Sequence, residues 1–310
     1  MIAFFKRLFG IGTSAGASTA PLDATLAGTS QLATAPLQFS EPPTPAAGGA
    51  APLRVAHAQS VGMVRDHNED VLLTVTGTFE GDERIPTFGL YVVADGMGGH
   101  NMGERASAVA ARSVAHDMIK QVYLSLLTVN PDDSESRPPL QEIVGEAIAA
   151  ANRAVISSVG EGGTTATVAL VIDDQVIIGH VGDSRAYIIA PTGIEQLTRD
   201  HSLVRRLQEL GQLSADEAAV HPQRNVLYRA IGQGEGLEVD VHSHRLSPGM
   251  KIMMCSDGMW GLVSDAKILE IVYSSPNLQT ACNRLVDAAN QGGGHDNITA
   301  VLVEYNPPTP

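Results

Sequence analysis

Apolar runs rich in valine and isoleucine recur between residues 54 and 305, and they constrain the fold more than any other feature. They read, in chain order, RVAHAQSVG, DVLLTVT, GLYVVAD, TATVALVID, QVIIGHVGDSRAYII, KIMMCSD and ITAVLVEY. Glycine, aspartate or proline bounds several of them, which is typical of β-strands. The runs come in neighbouring groups instead of alternating one by one with helices, and this favours antiparallel over parallel pairing.

Helical spacing marks the segments between these groups. Apolar side chains recur every three or four residues over 103–127, and similar patterns cover 140–158 and 277–290. The last pattern ends at QGGG, a sequence that stops helices. Because strands come in groups and helices in pairs, we predict an α+β domain in which antiparallel sheets pack together and helices cover them from outside.

Acidic residues stand at one end of most predicted strands. They are Glu69, Asp70, Asp95, Asp183, Asp257 and Asp296. An Asp-Gly pair after an apolar run is also an ordinary turn signal, because glycine tolerates positive φ and aspartate caps turns. One such pair needs no further explanation. The repetition of the pattern predicts carboxylates gathered at one rim of the sheets.

Gathered carboxylates repel one another unless cations lie between them. Cysteine is absent from these positions and histidine is sparse, which argues against zinc. Hard oxygen ligands suit Mg²⁺ or Mn²⁺. The glycines after Asp95 fit this interpretation, since residues without a Cβ let backbone and ions approach closely. We therefore predict a site for divalent cations.

The net charge of the chain argues against one class of function, nucleic-acid binding. It has 20 Lys and Arg against 34 Asp and Glu, a formal net charge of −14. Without a run of basic residues, we expect no nucleic-acid partner. Cys255 and Cys282 form no C-x-x-C pair and fit a reducing, cytoplasmic location. We expect no membrane span and no export, because apolar runs are short and the start lacks the order of a signal peptide.

Composition divides the chain into segments. Residues 13–52 consist almost entirely of Ala, Thr, Ser, Pro and Gly, which predicts a disordered linker. We place a globular domain at 53–306 and a short tail at 307–310. Residues 1–12, MIAFFKRLFGIG, combine apolar side chains with a Lys-Arg pair. They are either a disordered tail or an amphipathic segment that contacts a membrane surface or a partner weakly and reversibly.

The motifs around the strand-end acids follow a recognisable order. They read VRDHNED, VVADGMGGHNMGE, GGTTATVALV, GHVGDSRAYII, LTRDHSLV, RNVLYRAIG, CSDGMWGLV and GGHDNITAVLVEY. This series resembles the metal-dependent protein phosphatases, the protein phosphatase 2C family. Its Asp-Gly-Met-Gly-Gly-His sequence is closer to the bacterial branch. The resemblance covers residues 54–305 and does not extend to residues 1–52.

The resemblance implies a four-layer sandwich of two packed antiparallel β-sheets flanked by helices on both outer faces. It also implies hydrolysis of phosphoserine and phosphothreonine by direct attack of a metal-bridged hydroxide at a two-metal centre. Asp95 would bridge two Mn²⁺ or Mg²⁺ ions. The Gly96 carbonyl would bind one ion, and Asp257 and Asp296 would complete the other. The implied partners are phosphorylated proteins, as targets of a serine/threonine kinase in bacterial signalling, and we expect a monomer.

Further residues take roles by the same match. Glu69 and Asp70 would hold metal-bound waters, or else cap the following strand. Arg65 would be a catalytic residue that binds the substrate phosphate, or else a surface arginine paired with the aspartate that follows it. Asp183 would hold a third, weaker ion, or else form a structural ion pair with Arg185.

The general acid is left open by the resemblance. Some family members have a histidine two residues after the bridging aspartate, where this chain has Met97. His100 would substitute as a catalytic residue, or water would do so. Residues 198–232 form a long helical insertion at a position where the family has a mobile flap beside the site, or else they form a rigid cap.

The main alternative function is a catalytically inactive binding module with the phosphatase fold. Such modules lose metal-binding carboxylates, whereas this chain keeps every carboxylate that the resemblance requires. The sequence lacks the residues that two other phosphatase mechanisms require. Gly261 and Ala288 stand six positions after the two cysteines, where a cysteine phosphatase needs arginine, and no D-x-D motif occurs.

Overall fold

The computed structural model describes residues 51–79, 85–98, 101–128 and 138–306. In this part of the chain, two five-stranded antiparallel sheets form the centre. The strands are β1 (Leu53–Ser60), β2 (Val71–Gly77), β3 (Phe88–Ala94), β4 (Gly96–Met97), β5 (Gly163–Thr164), β6 (Ala166–Ile172), β7 (Gln175–Val181), β8 (Arg185–Ala190), β9 (Gly193–Gln196), β10 (Asp240–Arg245), β11 (Lys251–Cys255) and β12 (Ile298–Tyr305). The first sheet has the order β1-β12-β11-β8-β9 and the second β10-β7-β6-β3-β2, while β4 pairs with β5.

Helices lie on the outside of the sheets or in their connections. They are α1 (Met102–Met118), α2 (Leu124–Leu126), α3 (Leu140–Val159), α4 (Leu203–Glu209), α5 (Ala215–Ala219), α6 (Asp257–Trp260), α7 (Asp265–Ser274) and α8 (Leu278–Gln291). A π-helical turn at Ile119–Tyr123 joins α1 to α2. Among the described residues, no helix has the length and apolar character needed to cross a bilayer.

Apolar side chains fill the interfaces between four layers of the described chain. Between the sheets, side chains such as Tyr91 of β3 cluster with others such as Met254 of β11. Residues of α1 and α3 cover the outer face of the second sheet, and residues of α7 and α8 cover that of the first. Central strands are thus buried on both faces, which explains why their sequences lack polar alternation. The predicted α+β sandwich is confirmed.

One predicted strand is wrong in its extent. The run QVIIGHVGDSRAYII forms β7 and β8, which belong to different sheets. Gly182, with φ of +113°, turns the chain between them in a conformation that residues with side chains rarely adopt. The crossing at residues 182–184 brings Asp183 to the point where both sheets end.

The insertion at 198–232, which the structure describes throughout, is less helical than predicted. It contains α4 and α5 and is otherwise irregular. Ser202 caps the start of α4 by accepting a hydrogen bond from the Arg205 N–H. Gly211, with φ of +69°, follows the end of α4 and prevents its continuation.

Candidate metal centre

The strand-end acids meet in one pocket of about 270 Å³. Its walls are formed by Arg65, Glu69, Asp95, Gly96, Met97, Gly98, Thr165, Asp183, Asn225, Leu227, Asp257 and Asp296. Asp95 follows β3 of the second sheet and Asp257 follows β11 of the first, so the pocket lies where the two sheets end together. Of the predicted site residues, Asp70 is buried outside these walls, and His100 lies outside the described residues.

Asp95 and Asp257 face each other inside the pocket. The negative charge of each raises the cost of ionising the acids around it. Burial raises the pKa of Asp95 well above its usual range, and the neighbouring charges of Asp70 and Asp257 raise it further. Burial, followed by the charge of Asp296, raises the pKa of Asp257 to about 6. Among the described residues, Asp95 and Asp257 therefore lack a cationic partner that would offset their negative charges.

A glycine follows each of these two aspartates because chain segments pass very close to it. Neither Gly96 nor Gly258 has a positive φ. A Cβ on Gly96 would lie 2.3 Å from the carbonyl oxygen of Gly103, and one on Gly258 would lie 2.1 Å from that of Asn297. The interpretation of these Asp-Gly pairs as ordinary turns is therefore wrong.

Asp70 and Glu69 are buried, and each has one carboxylate oxygen that accepts no hydrogen bond from the described part of the chain, with His67 Nε2 3.4 Å from Glu69 Oε1. Asp70 Oδ2 accepts hydrogen bonds from Ser256 Oγ at 2.7 Å and Thr299 Oγ1 at 2.6 Å. Asp70 Oδ1 and Glu69 Oε1 have no hydrogen-bond partner among the described residues. Burial raises the pKa of Asp70 to about 7. Since Asp70 bonds to Ser256 and Thr299, capping of β2 does not account for it.

Arg65 lies at the mouth of the pocket, with its side chain 44% exposed. Its Nη2 donates to Asp296 Oδ2 at 2.9 Å, and its Nη1 lies 3.9 Å from Glu69 Oε2. The alternative pairing with Asp66 is wrong, because that carboxylate is hydrogen-bonded to His67 Nδ1 at 2.6 Å. An exposed ion pair of this kind contributes little to stability, so the guanidinium can exchange Asp296 for another anion at small cost.

Asp183 is 7% exposed and lines the pocket. The alternative ion pair with Arg185 is wrong, because the Arg185 guanidinium donates two hydrogen bonds to Asp200, at 2.9 and 2.7 Å. Burial raises the pKa of Asp183 well above its usual range, and the charges of Asp257 and Asp200 raise it further. Within the described part of the chain, Asp183, like Asp95, therefore lacks an ion pair that would offset its negative charge.

The donor set of the pocket fits hard divalent cations, because five carboxylates line it and neither His nor Cys of the described chain does. Within the described residues, no three His, Cys, Asp or Glu side chains already close around a single point. Asp296 is engaged by Arg65 instead. The fit rests on the raised pKa values of the buried acids Asp95 and Asp257 and on Asp70 Oδ1, a buried oxygen without a hydrogen-bond partner among the described residues.

Asn297 is a positioning residue that was not predicted from the sequence. Its side-chain oxygen accepts from the Glu69 N–H at 2.8 Å, and its amide nitrogen donates to the carbonyls of Val61 and His67 at 3.0 and 2.9 Å. Its own N–H donates to Asp296 Oδ1 at 2.8 Å. Asn297 thereby ties the loop before β2 to Asp296. The available signal was its position directly after that aspartate.

A threonine pair holds Asp95 in place and was likewise not singled out. Thr165 Oγ1 accepts from the Asp95 N–H at 2.9 Å, and Thr164 Oγ1 donates to the Asp95 carbonyl at 2.8 Å. Thr165 Oγ1 is also hydrogen-bonded to Ser184 Oγ at 2.8 Å, next to Asp183. The motif GGTTAT carried this signal, although its role depends on contacts that are distant in the chain.

Comparisons with known proteins agree with this geometry. The family model described as "Protein phosphatase 2C" matches residues 58–298. The serine/threonine phosphatase stp of Listeria innocua is 36% identical over 245 residues, which cover 79% of this chain and 93% of that protein. The serine/threonine phosphatase of S. agalactiae has a similar structure, with a TM-score of 0.69 and 31% identity, covering 82% of this chain and 100% of that one.

A further solved relative contains metal. The catalytic domain of the serine/threonine protein phosphatase PstP, in complex with two manganese ions, matches with a TM-score of 0.65 and 30% identity over 82% of this chain and 98% of that chain. The family match includes every strand-end acid from Glu69 to Asp296. The sandwich fold, the acidic pocket and these matches together show that the chain belongs to the protein phosphatase 2C family.

Proposed function

We propose that this protein removes phosphate from phosphoserine and phosphothreonine residues of other proteins at the acidic pocket, with divalent cations bound there. The observation that carries the proposal is the set of buried carboxylates short of positive charge beside Arg65. The names of the relatives as serine/threonine phosphatases support it. An inactive binding module has no support, because every expected carboxylate is present.

Two Mn²⁺ or Mg²⁺ ions would be held by Asp95, Asp257, Asp296 and the Gly96 carbonyl, with Asp95 shared between them. When bound, such ions supply positive charge at the phosphate and lower the pKa of water toward neutrality. Asp70 Oδ1 and the Glu69 carboxylate would accept hydrogen bonds from ordered water. The manganese complex of PstP supports a two-ion site, and an all-oxygen donor set suits either metal.

Arg65 would bind the substrate phosphate. Its guanidinium is planar and can donate two parallel hydrogen bonds to two phosphate oxygens, which a lysine cannot match. The same group now contacts Asp296, and a phosphate dianion would compete for it. Arg65 would hold phosphorus in line with the attacking oxygen and offset charge on the phosphoryl group.

Asp183 would hold a third, weaker ion that assists turnover. Asp183 lines the pocket, and the Arg185 guanidinium is hydrogen-bonded to Asp200. Asp183→Ala should therefore lower kcat at saturating metal and spare binding of the two other ions, as measured by calorimetric titration. Unchanged turnover would remove Asp183 from the proposal.

His100 would protonate the leaving alcohol, since the Met97 thioether in the pocket wall cannot donate a proton. His100→Gln should slow hydrolysis of a phosphothreonine peptide, whose leaving group is strongly basic. It should leave hydrolysis of para-nitrophenyl phosphate nearly unchanged, because that leaving group needs no proton. Equal losses on both substrates would assign His100 another role.

Residues 1–50 lie outside the described residues, and their role remains a proposal. Residues 1–12 would attach a cytoplasmic, monomeric enzyme reversibly to a membrane surface or partner, and residues 13–52 would act as a linker. Deletion of residues 1–50 should leave kcat and KM on a small peptide unchanged. It should move the protein from the membrane or complex fraction to the soluble fraction, and an unchanged distribution would contradict the attachment.

Strict metal dependence tests the central proposal. Excess chelator should abolish release of phosphate from a phosphothreonine peptide, and added Mn²⁺ or Mg²⁺ should restore it. The Asp240→Asn variant, altered away from the pocket, should show the same dependence. Full activity in excess chelator would contradict the proposal.

A further inference from the structure

The short helix α6 carries one acid of the pocket and contacts the backbone of another. Asp257 is the first residue of α6 and Trp260 is the last. The indole Nε1 of Trp260 donates a hydrogen bond of 2.9 Å to the backbone carbonyl of Asp183. The helix that carries the Asp257 carboxylate therefore also holds the backbone of Asp183 by a hydrogen bond.

Arg185 fixes the plane of that indole. Its guanidinium carbon lies 3.5 Å from the centroid of the Trp260 ring, in a cation–π stack. The same guanidinium is held by its two hydrogen bonds to buried Asp200, and Nη1 donates to the Tyr187 hydroxyl at 3.2 Å. The indole cannot turn away from Asp183 without losing the stack on a group that is itself fixed.

The backbone at Asp183 needs such support. Residues 182–184 belong to no strand, and the two buried carboxylates of Asp183 and Asp257 repel each other. At the preceding residue, His201 Nδ1 accepts from the Gly182 N–H at 3.0 Å, and the His201 N–H donates to the Gly182 carbonyl at 2.7 Å. His201 thus holds the residue before Asp183, and Trp260 holds Asp183 itself.

We propose that Trp260, stacked on Arg185, is a positioning residue that sets the place of the Asp183 carboxylate relative to Asp257 and thereby raises turnover. The inference rests on the proposed role of Asp183. It differs from a purely structural role in one respect. Loss of the indole N–H should matter only as long as the Asp183 carboxylate is present.

Trp260→Phe tests the hydrogen bond separately from the stack, because phenylalanine keeps an aromatic ring over Arg185 and lacks the N–H. We expect kcat on a phosphothreonine peptide to fall about tenfold, as is typical of residues that orient metal ligands. KM should change less than twofold. In the Asp183→Ala background, Trp260→Phe should cause no further loss. Independent, multiplying losses would overturn the inference.

Tyr187→Phe is the matched control. It removes a hydroxyl that contacts the same guanidinium but does not reach Asp183. Its turnover should stay within twofold of the wild type. If Asp183→Ala itself keeps full turnover, the role of Asp183 and this inference both fall, while the phosphatase function stands. If Asp183→Ala is slow and Trp260→Phe is not, only the inference falls.

Fluorescence gives a readout other than activity, because Trp260 is the single tryptophan of the chain. Titration of the metal-free wild type with Mg²⁺ should change the emission of this indole as the Asp183 carboxylate takes up an ion. Asp183→Ala should lose the weakest-binding phase of that change, and Tyr187→Phe should retain it. Identical titrations of the wild type and Asp183→Ala would overturn the inference.

Discussion

The acids of the pocket and the half-buried Asp240 beside His201 differ in what surrounds them. In the network around His201, Asp240 accepts a hydrogen bond from Arg229 Nη1 at 2.8 Å, and its other oxygen lies 3.1 Å from His201 Nε2. In the pocket, the charged neighbours that shift the pKa of Asp95 are other acids, Asp70 and Asp257 first among them. Arg229 supplies the network with a cation that pairs with Asp240, whereas the pocket cation Arg65 is hydrogen-bonded to Asp296 at the mouth.

The pKa directions express the same contrast. Burial works against ionisation of Asp240, yet the hydrogen bond from His201 and the charge of Arg229 lower its pKa below the usual range. At Asp95, burial and neighbouring acids act together and raise it. Burial of an acid alone is therefore no sign of a functional site. The absence of a matching cation is the informative feature.

The largest expected effect concerns Asp95. Asp95→Asn should lower kcat/KM on a phosphothreonine peptide by about three orders of magnitude or more, because the shared carboxylate is lost. In excess chelator, the same variant should unfold at a higher urea concentration than the wild type, since a repelled buried charge is gone. A variant that loses activity and stability together would make Asp95 a structural acid like Asp240.

The second prediction uses His180, which packs 5.0 Å from His201 between ring centroids. Burial, with a smaller effect of the His201 charge, lowers the pKa of His180 to about 4. Between this value and about 6.5, the unfolded chain binds a proton that the folded protein does not. Stability from His180 is therefore present above pH 6.5 and is lost as the pH falls toward 4, by on the order of 3 kcal/mol.

Urea unfolding between pH 4 and 7 measures this effect, with His180→Asn as the reference. Asparagine lacks a titrating group but can keep the hydrogen bond that Thr167 Oγ1 makes with His180 Nδ1 at 3.0 Å. The stability advantage of the wild type should shrink on acidification. An advantage that stays constant with pH would show that His180 does not titrate between its two environments.

The third prediction concerns Asp240. Asp240→Ala should cost about 2 kcal/mol in unfolding free energy, because buried His201 loses its carboxylate acceptor and Arg229 keeps only Glu238 among its described carboxylate partners. Turnover per folded molecule should fall less than tenfold. Urea unfolding and peptide kinetics on the same preparation measure both. A loss of turnover above a hundredfold with unchanged stability would remove the distinction between network and pocket.

The smallest expected effect concerns the support of Asp70. Ser256→Ala removes one of the two hydroxyl donors to Asp70 Oδ2 and leaves Thr299 in place, so kcat should fall about tenfold. Ser264→Ala is the matched control, since Ser264 caps α7 and should affect stability by about 1 kcal/mol without changing turnover. Equal kinetics of the two variants would contradict a supporting role of Ser256.

Local patterns predicted the central strands and the acids at their ends, because burial and strand termination leave marks in the adjacent sequence. Strand β10, with the sequence DVHSHR, was not predicted. It pairs with β7 at the edge of the second sheet and has polar, half-exposed positions. Helix α7 was also not predicted, since its ten residues give less than three turns of periodicity.

Residues adjacent in the sequence did not predict which side chains of the site form hydrogen-bonded pairs. Sequence proximity suggested that Arg185 pairs with Asp183, but the fold brings Asp200 to it instead. Likewise, Arg65 contacts Asp296, 231 positions away. Such pairs depend on how strand ends from the two sheets converge, and that arrangement is set by packing across the whole sandwich.

That convergence has a mechanical consequence. Asp95 belongs to the end of one sheet and Asp257 to the end of the other. An ion held by both would cross-link the sheets, much as a disulfide joins the halves of an extracellular sandwich. Ligation would then oppose sliding of one sheet over the other, and a hundredfold excess of ion over its Kd would add about 2.7 kcal/mol to the unfolding free energy. Metal binding at the pocket would thus also stabilise the packing of the two sheets, and removal of the metal would reverse that stabilisation.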